Sequence, residues 1–190
     1  MLTRILTVTA VFALALATVG LTACSEYQKD PDGNAQAEAR MQLRQDAANE
    51  VQRYKDQDPS LDRFFSGAAG YAVFPEIASG AAGIGGAYGK GVLYVNGQFV
   101  GYCSMKQASI GAQIGGQTYS ELVFFEKPYN VDQFKKGNVE FSAEATAVAA
   151  SKGAAAKADY ENGVAIFILG QKGLMAQAAI GGQKFTYWPE

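Results

Sequence analysis

The sequence predicts an α+β fold, in which a strongly curved, barrel-like antiparallel sheet carries N-terminal helices packed on it. Residues 35–56 lack Gly and Pro and are rich in Ala, Gln, Arg and Glu, a helical composition. From Tyr71 onward, short β-branched and aromatic runs alternate with turn residues, as strands do. A Gly-Gly pair followed by an aromatic residue recurs along this part of the chain and indicates sharp bends in the sheet.

The composition excludes several classes of protein function. The chain has 190 residues, 16 Lys plus Arg, 18 Asp plus Glu, two Cys and no His, for a net charge of −2. That length predicts one domain with a short extension. The charge argues against a nucleic-acid binder. The absence of His excludes Ser-His-Asp and Cys-His hydrolase mechanisms and every His-ligated metal site. Asp, Glu, Ser, Lys and Tyr could still do chemistry without His, which keeps an enzyme as a third hypothesis. Because the sequence has no Gly-x-Ser-x-Gly motif and no metal-ligand cluster, we expect no metal, no cofactor and no enzyme.

The first residues have the pattern of a targeting signal. Arg4 precedes residues 5–20, an uncharged and largely apolar run of 16 residues, which is short for a membrane span. The sequence Leu21-Thr22-Ala23-Cys24 then resembles a bacterial lipobox. We predict that residues 1–23 are a lipoprotein signal peptide and that residues 24–34 are a lipid-anchored tether. The alternative is an ordinary signal peptide with an incidental Cys.

Acylation of Cys24 has consequences for location and for thiol chemistry. Each buried CH₂ contributes ~0.8 kcal/mol, so two or three acyl chains, palmitate among them, would anchor the protein firmly. Ser25, after the Cys, favours the outer membrane of a bacterial envelope, with the protein facing the periplasm. Cys103 is then the one thiol left, and we expect it to be a buried structural residue.

Two helices are predicted before the sheet. In residues 35–58, five side chains fall on one face at helical spacing, and they are Ala39, Leu43, Ala47, Val51 and Tyr54. The charges beside that face are mixed rather than basic, which favours a helix lying on the domain over one inserted in lipid. Ser60 is the expected N-cap of a second helix, which contains Phe64 and Phe65 and ends at Gly67 or Gly70.

The strands follow from alternation and turn residues. Asn96-Gly97 between two apolar runs indicates a hairpin, and Pro75 is expected to end the strand before it. Asn130 is the expected cap of a short helix over residues 131–136, closed by Gly137. The predicted strands are residues 71–74, 91–95, 98–102, 108–114, 119–125, 139–150, 164–169, 174–180 and 184–188.

The glycine-rich stretch 80–91 invites comparison with nucleotide-binding loops. A P-loop needs Gly five positions before the Gly of its Gly-Lys pair and Ser or Thr after the Lys. Here those positions hold Ile84 and Gly91. The dinucleotide fingerprint fails at Tyr88, where Gly or Ala is needed. The stretch is therefore interpreted as strand turns, in keeping with the Gly-Gly pairs at residues 85–86, 115–116 and 181–182.

Several motifs in order resemble the SYLF domain, a lipid-binding module also described as a yeast actin-regulator domain. The resemblance covers residues 60–188 and is closest to the bacterial lipoprotein branch of the family. The motifs are Tyr71-Ala72-Val73-Phe74-Pro75, Gly85-Gly86-Ala87-Tyr88-Gly89-Lys90-Gly91, Ser109-Ile110-Gly111-Ala112-Gln113-Ile114-Gly115-Gly116-Gln117 and Phe141-Ser142-Ala143-Glu144-Ala145.

This resemblance implies that residues 59–190 bind phospholipid, phosphoinositide-type or other anionic headgroups included. The actin role belongs to eukaryotic members with further modules, so actin is not expected as a partner. Lipid contact requires exposed apolar groups beside cations. The candidates are Phe64 and Phe65 with Arg63, and Lys90 and Lys106; core packing and plain solvation are the alternatives for them. The competing hypothesis is a structural, protein-binding envelope lipoprotein without lipid specificity beyond its anchor.

Overall fold

The computed structural model describes residues 34–79, 85–109, 117–137, 148–149, 151–170 and 182–190. Two short 3-10 turns, Pro59–Leu61 and Ala155–Lys157, accompany the helices and strands. The helices are α1 (Asn34–Gln57), α2 (Asp62–Gly67) and α3 (Pro128–Lys135). The strands are β1 (Gly70–Ser79), β2 (Gly85–Val95), β3 (Gln98–Ser109), β4 (Gln117–Phe125), β5 (Val148–Ala149), β6 (Val164–Gly170) and β7 (Gln183–Pro189).

The strands form one sheet in the order β5-β6-β4-β1-β2-β3-β7. Every pairing between β6 and β7 along this order is antiparallel, whereas the two-residue β5 pairs with β6 in parallel. The predicted α+β class, with an antiparallel sheet and N-terminal helices, is thus confirmed. The parallel edge strand differs from the prediction. Of the strand predicted over 139–150, the structure describes residues 148–149, and these pair with β6 in parallel.

Strong curvature of the sheet is evident from a contact across its inner face. Glu121 on β4 and Gln183 on β7 are four strands apart, which in a flat sheet corresponds to roughly 19 Å. Yet Gln183 Nε2 donates a hydrogen bond to Glu121 Oε2 at 2.9 Å. The sheet therefore curls until distant strands touch. It does not close into a barrel within the described residues, since β5 and β7 end the order without pairing, so the barrel-like prediction holds only for the curvature.

Alternate residues of each strand supply two separate cores. The inner, concave face holds an apolar cluster that includes Phe74, Leu93, Met105, Val123 and Phe185. Helix α3 covers one end of this face, because its Phe134 ring lies 4.8 Å from that of Phe125 and 5.1 Å from that of Phe185, between ring centroids. The outer face carries α1 and α2 over a second cluster, made of side chains such as Tyr54, Leu61, Phe64, Leu122 and Phe167.

Pro75 does not end β1, contrary to the sequence prediction. The strand continues to Ser79, and its pairing with both neighbours shifts by one residue around the proline. Proline lacks the N–H that a central strand needs, so a bulge is where it can be accommodated. Gly91 of β2 lies against the bulge: a Cβ there would be 2.5 Å from the Val73 carbonyl oxygen and 2.7 Å from the Phe74 ring.

The β2–β3 hairpin turns at Asn96 and Gly97, as predicted, and both residues have positive φ. The helix predicted at 131–136 begins three residues earlier, at Pro128, whose fixed φ suits the first helical position. Asn130 therefore lies inside the first turn, where its Oδ1 accepts from the Lys127 backbone N–H at 3.1 Å. Gly137, with a φ of 71°, follows the helix, as expected.

Helix α1 lies across the outer face rather than apart from the domain. Ala47 and Tyr54 are fully buried, and the Tyr54 hydroxyl is within 3.0 Å of the carbonyl oxygens of Ser120 and Phe167. The cap after α1 is Asp58, not Ser60. Its carboxylate accepts from the backbone N–H groups of Ser60, Gly153 and Ala155, which fastens the 151–158 segment to the helices.

Several sequence predictions fall outside the described residues. These are the signal peptide, the tether up to residue 33, the bend at 115–116, the strand at 174–180 and most of the strands predicted at 108–114 and 139–150. The pair at 85–86 is described and lies within regular β2, so no bend occurs there. Gly182 has a φ of 76° directly before β7, which fits the predicted turn. Among the described helices, none is both long and apolar enough to cross a membrane.

Candidate functional site

The two predicted lysines come together on the outer face of the sheet. Tyr88 of β2 pairs with Lys106 of β3, and Lys106 pairs in turn with Lys184 of β7. Lys90 lies two residues from Tyr88 on the same face of β2. Directly paired residues on neighbouring strands have Cβ atoms ~4.5–5.5 Å apart. The four side chains, Tyr88, Lys90, Lys106 and Lys184, are all exposed and form what we call the outer-face patch.

The patch has an unbalanced positive charge. Its lysines take part in none of the ion pairs formed among the described residues. Glu76, which pairs with Lys90 across β1 and β2, is the acidic neighbour in the register. Tyr88 is 44% exposed and supplies an aromatic ring beside these cations. An exposed aromatic ring with several lysines outside ion pairs is a surface suited to phosphate groups at an apolar boundary.

The three other predicted contact residues are held by the fold instead. Phe64 is 1% exposed and packs against Phe124 and Phe167 in the outer-face core. Phe65 is partly buried beneath the Lys55 ammonium, 4.5 Å from its ring centroid. Arg63 donates to the Ala158 carbonyl and lies 3.5 Å from the Asp159 carboxylate. The structure therefore separates these residues from the lysine patch and gives each a packing role. Cys24 is outside the described residues.

Beside the patch, a groove of about 580 Å³ separates α1 from β1 and β2. Its lining shares Tyr88 and Lys90 with the patch and adds the acidic side chains of Asp46, Glu50 and Glu76. Glu50 is nearly buried and accepts from Ser120 Oγ and, at 2.9 Å, from Arg53. Sequence reasoning missed this groove and Lys184, because both depend on which strands are neighbours. The sequence signal for Lys184 was its position in the strand predicted over residues 184–188, where polar and aromatic side chains alternate.

The inner face of the sheet contains a buried carboxyl group, that of Glu121. Burial raises the pKa of Glu121 to about 7, although the hydrogen bond from Gln183 lowers it. Its Oε1 and the Oε1 of Gln183 have no hydrogen-bond partner in the described part of the chain. Burial likewise raises the pKa of Tyr119, and the Glu121 carboxylate adds to that rise. A carboxyl group with this pKa is a common feature of functional sites and of buried structural pairs alike.

The remaining chemistry is limited in the described residues. Cys103 is fully buried, as expected, and burial raises the pKa of its thiol well above the ordinary value, so it is a poor nucleophile. No group of three or more Cys, Asp or Glu among the described residues is placed to hold a metal ion. The outer-face patch and its groove are consequently the candidate functional site.

Comparison with known proteins agrees with the resemblance noted in the sequence. Residues 106–187 match the family described as Ysc84, Las17-binding protein actin regulator. The chain is also 33% identical over 153 residues to Beta cell expansion factor A of Aeromonas veronii, across 80% of this chain and 57% of that relative. The chain thus spans little more than half the length of this relative. Through the matched segment, which includes the end of β3, all of β4 and β6 and most of β7, the chain belongs to the Ysc84/SYLF domain family.

Proposed function

We propose that this protein is a non-enzymatic, lipid-anchored protein of the bacterial envelope whose SYLF domain binds phospholipid through the outer-face patch. The observation that carries the proposal is the group of three lysines around the exposed ring of Tyr88, none of which forms an ion pair with another described residue. The acyl anchor on Cys24, at the outer membrane and facing the periplasm, rests on the lipobox-like sequence. The family resemblance supports lipid binding, and no actin contact is proposed.

The expected strength of binding follows from the charges. A lysine near an anionic membrane surface contributes ~1 kcal/mol, so three lysines give a weak attraction that salt screens. Burial of the Tyr88 ring in the headgroup region adds an apolar contribution. Such an affinity is sufficient for a protein already held at the membrane by its acyl chains, because tethering raises the effective concentration of the patch.

The test is flotation of residues 25–190, which lack Cys24, with vesicles containing anionic phospholipid at low and moderate salt. We expect the wild-type protein to float at low salt and the K90E/K106E/K184E variant to remain at the bottom. The matched control is K127E/K136E/K152E, which makes the same charge change at exposed lysines outside the patch and should float.

Two results would argue against the proposal. If the patch variant floats as well as the control variant, the lysines do not mediate the contact. If the wild-type protein stays at the bottom with every vesicle composition, the membrane link is confined to the anchor. The protein would then be assigned to the competing class of structural, protein-binding envelope lipoproteins.

A further inference from the structure

The groove between α1 and the sheet has a charge pattern that the patch alone does not explain. Tyr88 and Lys90, which belong to the patch, are part of its lining. The lining also contains acidic side chains, Asp46 on α1 and Glu76 on β1. A phosphate bound at Lys90 would therefore have carboxylates beside it, which is unfavourable for a ligand carrying negative charge alone.

The carboxylates in this groove are available to a ligand. Glu76 and Lys90 are paired across β1 and β2, yet their charged atoms do not form one of the ion pairs present among the described residues. Asp46 Oδ1 accepts from Gln42 Nε2 at 2.8 Å, and its Oδ2 accepts no hydrogen bond from another described residue. Glu50, which also lines the groove, is nearly buried and already hydrogen-bonded to Ser120 and Arg53.

The backbone explains why the groove exists at this place. The bulge at Pro75 displaces the middle of β1, and the stretch after it sets Glu76 and Ala78 toward the helix side. Gly89, opposite Ile77, lines the groove with its backbone, since a Cβ there would point to the inner face and lie 2.6 Å from the Ile77 side chain. The groove is thus part of the local backbone structure of β1 and β2 and does not depend on a side-chain rotamer alone.

We infer that this groove recognises a phospholipid headgroup that carries a phosphate and a primary ammonium, as in an ethanolamine phospholipid. Lys90 would meet the phosphate, and the carboxylates of Asp46 and Glu76 would accept hydrogen bonds from the ammonium group. A quaternary ammonium has no N–H to donate and is held by cages of aromatic rings. Tyr88 is the one aromatic side chain among the described residues of the groove lining, so the carboxylates favour the primary amine.

A metal ion is a poorer occupant on the same observations. The described residues provide no group of three acidic side chains placed to coordinate one ion. The ammonium of Lys90 also lies in the lining, and it would repel a divalent cation. The mixed charge of the groove instead matches a headgroup that is itself zwitterionic. This inference rests on the proposed lipid-binding function and specifies the headgroup for it.

The first experiment titrates the purified full chain with glycerophosphoethanolamine by calorimetry, beside glycerol phosphate and free ethanolamine. We expect the zwitterion to bind at least tenfold more tightly than either fragment. The D46N/E76Q variant should lose this preference, whereas D132N/E161Q, at exposed acidic residues away from the groove, should keep it. Equal binding of glycerol phosphate and the zwitterion, or an unchanged D46N/E76Q variant, would overturn the inference.

A vesicle experiment separates this inference from the proposed function. Anionic vesicles are prepared with either ethanolamine or choline phospholipid as the second component, and the same full-chain variants are floated. We expect ethanolamine lipid to increase flotation of the wild type but not of D46N/E76Q. Since all variants share one N-terminal segment, their differences report on the groove. Flotation that depends on the patch lysines but ignores ethanolamine overturns the inference and retains the function. Binding of glycerophosphoethanolamine in solution without any patch-dependent flotation overturns the proposed membrane binding and retains recognition of the headgroup by the groove.

Discussion

The inner and outer faces of the sheet are built from alternate residues of the same strands, but they differ in how completely they are covered. The inner face curls on itself and is closed at one end by α3, so its side chains are buried and include the paired Glu121 and Gln183. The outer face is covered by α1 and α2 over part of its area, and beyond them Tyr88 and the lysines are exposed. Both faces therefore contribute a buried core, and the exposed part of the outer face is the part suited to recognition.

The largest effect is expected from Phe134→Ala, because this fully buried ring packs against two other rings at the end of the inner face. Loss of the ring and the cavity left behind should lower the free energy of unfolding by about 3–5 kcal/mol. Denaturant unfolding measures it. Tyr129→Ala on the same helix is the control, since Tyr129 is 68% exposed and should change stability little. Similar losses for both variants would contradict a closing role for α3.

The buried Glu121 should give the inner face a pH dependence. Its folded pKa of about 7 lies above the ordinary value of 4.5, so the folded state holds a proton that the unfolded state has lost. The contribution of Glu121 to the free energy of unfolding is therefore fully present below pH 4.5. It falls as the pH rises to about 7, and above that pH it no longer changes. The shift corresponds to a loss of about 3 kcal/mol. Asp58, with its pKa lowered from 3.8, acts in a separate and more acidic window.

Glu121→Gln should remove this slope, so that the variant is more stable than the wild type at pH 8 and similar to it at pH 4.5. Thermal or denaturant unfolding across this range measures the difference. Glu161→Gln, at an exposed residue, should retain the wild-type profile. Parallel profiles for Glu121→Gln and the wild type would show that the carboxyl group is not buried as described.

A smaller effect is expected where the two strands meet at the bulge. In Gly91→Ala, the added methyl would overlap the Val73 carbonyl and the Phe74 ring, and relief of that overlap should cost about 1–3 kcal/mol. Gly67→Ala is the control, because no atom lies within 4 Å of the position that its Cβ would take, and the free energy of unfolding should hold or rise by up to about 1 kcal/mol. A neutral Gly91→Ala would mean that β1 and β2 can separate at the bulge.

The smallest effect on stability, within about 0.5 kcal/mol, is expected for Lys184→Gln on the outer face. Lys184 is exposed and takes part in none of the described ion pairs, so the fold does not depend on it. The same substitution should reduce flotation with anionic vesicles at low salt. A destabilised variant, or one with unchanged flotation, would remove Lys184 from the patch and weaken the distinction between the two faces.

Local patterns were sufficient for much of the fold. The composition of residues 35–56 predicted α1, the alternating runs predicted most described strands, and Asn96-Gly97 predicted the hairpin. Burial of Cys103 followed from its apolar setting. Pro75 was misinterpreted, because a proline that ends most strands is accommodated here by a bulge between two neighbours. Asp58 was missed as a cap, because its further partners at 153 and 155 are distant in sequence.

The position of the lysines depended on the pairing register of β2 and β3, which a bulge at Val100 sets. A two-residue turn at Asn96-Gly97 pairs Val95 with Gln98, and unbroken pairing from there would set Lys90 opposite Cys103, with Lys106 on the other face. A one-residue bulge at Val100 shifts the register, so Lys90 pairs with Ser104 and both lysines share the outer face. The sequence by itself determined the helices, the hairpin and the alternation within strands, because these depend on neighbouring residues. The bulges, the strand order and the curl were decided by packing between distant strands, and they alone brought the lysines, Tyr88 and the acidic groove together.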